Sequence, residues 1–74
     1  MQALELDLTG QKCPMPIVQL SKVVKQLDPG AEFTAVADDP AFRLDVESWC
    51  RNTGHELLRL DDSDHRFVAV IRKA

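Results

Sequence analysis

Between Leu4 and Leu27 the hydrophobic period of the chain changes from two to about 3.6, and few small folds tolerate that switch twice. Leu4, Leu6 and Leu8 alternate with Glu5 and Asp7, the pattern of a half-buried strand over Ala3–Leu8 that ends at Thr9-Gly10. After Pro16, the residues Ile17, Leu20, Val23, Val24 and Leu27 recur at helical spacing and leave Gln19, Lys22 and Gln26 outward. Asp28-Pro29-Gly30 stops that helix, because proline cannot continue the backbone ladder and glycine accepts the left-handed turn. Phe33–Ala37 is apolar on both faces, which predicts a central strand. Asp39 and Pro40 predict the start of a second helix, the aspartate as cap and the proline as first helical residue. Phe42, Val46, Trp49, Cys50 and Thr53 share one stripe of it, and Gly54 closes it. His55–Leu60 and Phe67–Ile71 form a final strand pair, joined through the polar turn Asp61–His65.

The order βαβαββ, with right-handed crossovers, predicts an α+β two-layer sandwich: a small mixed four-stranded sheet with both helices on one face. Val36, Val68 and Val70 would give the other face an apolar patch. With 74 residues, 45% apolar and 28% charged, the chain is a single globular domain, 1–74, with no room for a large internal cavity. Its chemistry therefore belongs on the surface, with a partner completing the site. The net charge of −3 argues against a nucleic-acid partner, but the charges are unevenly placed. Residues 8–27 carry +3 from Lys12, Lys22 and Lys25, whereas residues 28–64 carry −7. A locally basic helix on an acidic body can steer an acidic partner. No apolar run approaches a membrane span and no secretory leader is evident, so a reduced, cytoplasmic protein is expected.

The informative segment is Lys12-Cys13-Pro14-Met15-Pro16, which puts a thiol at a helix start. Free amides there and the adjacent ammonium of Lys12 would lower the cysteine pKa toward the thiolate, the nucleophilic form. If Pro14 is the first helical residue, Cys13 is the cap and its sulfur can accept from the Met15 amide; Pro16, lacking an N–H, cannot donate. If the helix begins at Pro16, the dipole is a turn further away. Cys50 is 37 positions from Cys13 and expected on a buried stripe, so its role is structural. No Cys-x-x-Cys pair, no triad context for His55 or His65, and no ligand-pair spacing among Cys13, Cys50, His55 and His65 accompanies the thiol, so neither a dithiol enzyme, a hydrolase nor a metal site is expected. A lone nucleophile without machinery suggests a carrier.

Gly10-x-x-Cys13-Pro14-x-Pro16, Pro29-Gly30, Asp38-Asp39-Pro40, Asp45, Trp49-Cys50 and Gly54-His55 together resemble the TusA/SirA-type sulfur-carrier family, nearly end to end. The resemblance implies a sandwich similar to the C-terminal domain of translation initiation factor three, with sheet order 1243 and strand 4 antiparallel. It implies that Cys13 holds sulfane sulfur as a persulfide, with no other cofactor and no metal. The donor would be a cysteine desulfurase or rhodanese, and the acceptor a DsrE-type or thiolation protein serving tRNA thiolation, sulfur oxidation or cofactor thiolation. Lys25 and Asp39 match family positions that dock the donor, and Lys22 lies beside them; Ser21 stands where some members have arginine, and Met15 where some have glutamate. The expected protein is thus a carrier that works with sulfurtransferases and is not itself an enzyme. The other reading is a small regulatory or nucleic-acid interaction module with no sulfur chemistry, which 5% aromatic content and the acidic balance oppose.

Overall fold

A computed structural model describes residues 4–74. Its elements are β1 (Leu4–Asp7), α1 (Met15–Val24), β2 (Glu32–Ala37), α2 (Phe42–Thr53), β3 (Glu56–Ser63) and β4 (Arg66–Arg72). Ala3 of the expected first strand lies outside the described residues. The sheet order is β1-β2-β4-β3: β1 pairs parallel with β2, and β4 pairs antiparallel with both β2 and β3. This is the predicted α+β sandwich. No helix among the described residues is long and apolar enough to cross a membrane.

The alternation in the strands sets the core. Phe33, Ala35 and Ala37 of β2 and Phe67, Ala69 and Ile71 of β4 face the helices and are buried. Leu20 and Val24 of α1 and Phe42, Val46, Trp49 and Cys50 of α2 close over them. Full burial of a side chain such as Leu20, Phe33 or Ile71 contributes about 1.5–3 kcal/mol, so these few residues dominate the stability of a domain this small. Val36, Val68 and Val70 are half-buried on the opposite face, where Val36 lies across from Val68 and Val70 across from Thr34. Arg72 rims that face by pairing with Glu56 on β3 and Glu32 on β2.

Several boundaries differ from the sequence expectation. α2 begins at Phe42, not at Pro40, because a turn intervenes in which Phe42 N–H donates to the Asp39 carbonyl. The cap position is Ala41, and the helix is closed as expected by Gly54 at φ 86°. The last two strands run further into the polar segment than the composition suggests. Only Asp64 and His65 remain as the turn, at φ 52° and 61°, the two-residue primed hairpin that matches strand twist.

Candidate functional site

β1 and β2 are parallel neighbours, so both deliver their following loops to the same end of the sheet. The first loop carries Cys13 and the second carries Asp39. Asp39 is 7% exposed; its Oδ2 accepts from the Cys13 N–H at 2.7 Å and its Oδ1 from the Ala41 N–H at 3.4 Å. Next to it, Asp38 Oδ1 accepts from the Gly10 N–H at 2.9 Å. Two consecutive acids thus strap the cysteine loop to the rest of the molecule. The expectation that Asp39 caps α2 directly is corrected here: the cap position is Ala41, and the buried Asp39 carboxylate accepts from the Cys13 and Ala41 amides instead.

Cys13 itself is exposed and unbridged. α1 begins at Met15, between the two starts that the prolines allow, with Pro14 at the cap position. The Cys13-Pro14 peptide is cis. The Pro14 carbonyl accepts from Val18 N–H at 3.1 Å, and Pro16 is buried in the core, pinning the first turn. Met15 N–H donates to the Lys12 carbonyl at 2.8 Å, so it is not free for the sulfur. Of the first two helical residues one amide is engaged and the other does not exist, leaving little of the positive helix end to act on a thiolate.

Acidic groups decide the sulfur's charge instead. Cys13 Sγ and one carboxylate oxygen from each of Asp39 and Asp45 all lie within 4.8 Å of one another. A hydrogen bond to the Asp45 carboxylate, then desolvation, then the negative charges of Asp45 and Asp39 hold the thiol above its usual pKa. This reverses the expected lowering by Lys12 and the helix start. Lys12 is exposed, and the charges felt by the sulfur are the two aspartates. Lys12, Pro14 and Met15 are exposed beside Cys13 and Pro16 is buried in the core, and none of the four is among the groups that shift the thiol. Sequence reasoning gave Asp45 no role, since it lies on α2 and meets Cys13 only when the two helix starts are side by side. Its place in the first turn of the second helix was the available signal.

The thiol opens onto a cleft of about 280 Å³ between the helices, walled by Pro14 at the cap of α1, Ile17 of α1 and Asp45, Ser48 and Asn52 of α2, with Trp49 also lining it. Trp49 is fixed from both sides: its Nε1–H donates to Ser21 Oγ at 3.1 Å, and its ring lies 5.1 Å from that of His55. Ser21 thus has a packing function of its own. Cys50 is 4% exposed, and burial pushes its thiol up to about 11, so it is inert as expected. His55 Nδ1 accepts from the Ala74 N–H at 3.1 Å, tying the chain end to the start of β3. Lys22 and Lys25 are exposed on the last turn of α1 and at its cap.

Comparison with known proteins gives the family. Residues 4–73 match the family model described as Sulfurtransferase TusA. The chain is 38% identical over 68 residues to the sulfur carrier protein TusA of Pseudomonas putida, covering 92% of this chain and 85% of that one. It is 35% identical over 69 residues to an Aquifex aeolicus protein named "Putative sulfur carrier protein"; that match covers 93% of this chain and 35% of the relative's length. The crystal structure of a SirA-like protein from Desulfitobacterium hafniense shares the fold at a TM-score of 0.82, with 21% identity, over 93% of this chain and 95% of that one. With the family model spanning nearly every described residue and the cysteine of the Cys-Pro-x-Pro loop exposed, the chain belongs to the TusA/SirA-type family of sulfur carriers, proteins that relay sulfur without being complete enzymes.

Proposed function

We propose that Cys13 is the sulfur-bearing residue and that it carries sulfane sulfur through the cytoplasm from a cysteine desulfurase or rhodanese to a DsrE-type or thiolation protein. The single observation that carries this reading is the asymmetry of the two thiols: Cys13 stands exposed on a strapped loop, and Cys50 is sealed in the core. In loading, Cys13 sulfur attacks the outer sulfur of the donor's persulfide. A new S–S bond forms at Cys13, the donor's S–S bond breaks, and the donor sulfur leaves with a proton as a thiol. Delivery is the same exchange in reverse, with the acceptor as attacker.

The partner surface follows from α1. Met15, Val18, Lys22 and Lys25 recur at positions that share one face of that helix, and all four are exposed. Met15 is 44% and Val18 37% exposed. The face is apolar beside the thiol and basic further along, which suits a partner that sets an apolar rim around its own cysteine and an acidic patch beyond it.

The test is intact-protein mass spectrometry after incubation with a persulfide donor. Wild type gains a sulfur that reductant removes, and Cys13→Ser gains none, since a hydroxyl cannot hold sulfane sulfur. Loading of Cys13→Ser would overturn the reading.

A further inference from the structure

The two carboxylates at the sulfur are not equivalent. Asp39 is buried, with its oxygens occupied by the amides of Cys13 and Ala41. Asp45 is half-exposed in the first turn of α2, and among the described residues its carboxylate has neither a backbone donor nor a cation. It faces Cys13 across the mouth of the cleft, within the 4.8 Å cluster. Ser48 and Asn52, the other polar residues of that α2 wall, are uncharged, and Lys12 does not line the cleft. A carboxylate free of structural duty, set against the reacting sulfur, is placed to move a proton.

We propose that Asp45 is the proton acceptor and donor of sulfur transfer, taking the Cys13 proton as the donor's sulfur is attacked and returning it to the sulfur that departs. This rests on the carrier reading above. The steps balance. The Cys13 S–H proton passes to the Asp45 carboxylate, and the thiolate attacks the outer sulfur of the donor persulfide. The Cys13 S–S bond forms as the donor's breaks, and the departing donor thiolate takes the proton back from Asp45. The sulfane sulfur and one hydrogen have moved to Cys13, the donor ends as a thiol, and Asp45 ends as it began.

The proton transfer is coupled to formation of the S–S bond. In open water a carboxylate is far less basic than a thiolate, so the proton stays on sulfur. A donor entering the cleft displaces water from both groups, which raises the basicity of thiolate and carboxylate alike, so the proton leaves only as the Cys13 sulfur gives up electrons to the new S–S bond and its S–H becomes more acidic. The proton then moves where the reaction needs it. Between partners the protonated thiol resists oxidation and alkylation, because the thiolate is the reactive form.

The decisive comparison sets two reactions of Cys13 against each other in the whole chain. Alkylation by iodoacetamide expels iodide, which needs no proton; sulfur transfer from glutathione persulfide expels a thiolate, which does. With Asp45→Asn, alkylation at pH 7 becomes faster and its pH profile moves to lower pH, while sulfur transfer slows by about 100-fold, the low end of general acid–base effects. Asp45→Glu restores most of the transfer. The inference is overturned if the two rates of Asp45→Asn rise together, fall together or both stay unchanged, or if Asp45→Glu transfers no faster than Asp45→Asn. Uptake of sulfur by Cys13→Ser in the same experiment would instead remove the carrier reading, so the two failures are distinct.

Discussion

The backbone N–H of Cys13 donates to Oδ2 of Asp39 at 2.7 Å, joining the loops that follow β1 and β2 across 26 positions of the chain. Asp39→Ala removes the acceptor for that amide and for Ala41. It is expected to cost about 1–3 kcal/mol, read from urea denaturation, and to slow sulfur loading because the cysteine loop loses its strap. Asp39→Asn keeps an acceptor oxygen and should lose less of both.

Cys50→Ala isolates packing from chemistry. The thiol is buried among core residues beside Trp49, so its removal leaves a small cavity and should cost about 1–2 kcal/mol in thermal or chemical unfolding. Loading of Cys13 should remain at the wild-type level by mass spectrometry.

Lys22 and Lys25 supply two of the three cations between residues 8 and 27. Replacing both with glutamate should slow loading by a protein donor with an acidic docking face at low salt, with the defect shrinking as ionic strength rises toward 0.5 M or so. Loading by glutathione persulfide, which has no such face, should change little. Stopped-flow loading rates at several salt concentrations check both statements.

His55 makes stability depend on mild acid. Burial first, and then the Lys73 charge, hold its pKa below 6.5, so the neutral ring is favoured in the fold. A depressed folded pKa means that the unfolded chain binds the proton more readily. Its stabilisation is thus fully present above pH 6.5 and is lost as pH falls through the folded value. Unfolding free energies between pH 7.5 and 5 should decline in wild type, and His55→Gln should flatten that part of the profile.

The element order and the sheet were legible because Leu4-Leu6-Leu8 and the stripe Phe42-Val46-Trp49-Cys50 carry periods that only one kind of element satisfies. Cys13 was legible as an exposed thiol for a local reason too: Pro14 and Pro16 follow it and keep it out of the helix. What the sequence concealed is the charge around the sulfur. Asp39 and Asp45 come from another loop and another helix, and their meeting with Cys13 depends on the parallel pairing of β1 with β2 and on the helix packing above it. The helix starts were misplaced by one or two residues at Pro14, Pro16 and Pro40, since a proline fits a preceding turn as well as the first turn of a helix.

The cleft between α1 and α2 has one consequence for timing. Cys13 opens onto a groove of about 280 Å³ whose lining comes from both helices. On the carrier reading, donor and acceptor reach for the same sulfur and would take turns at it, neither beginning until its predecessor has left. Under load, throughput would be governed by residence times rather than by bond exchange, and a partner that binds too tightly would stall the relay as surely as one that never binds.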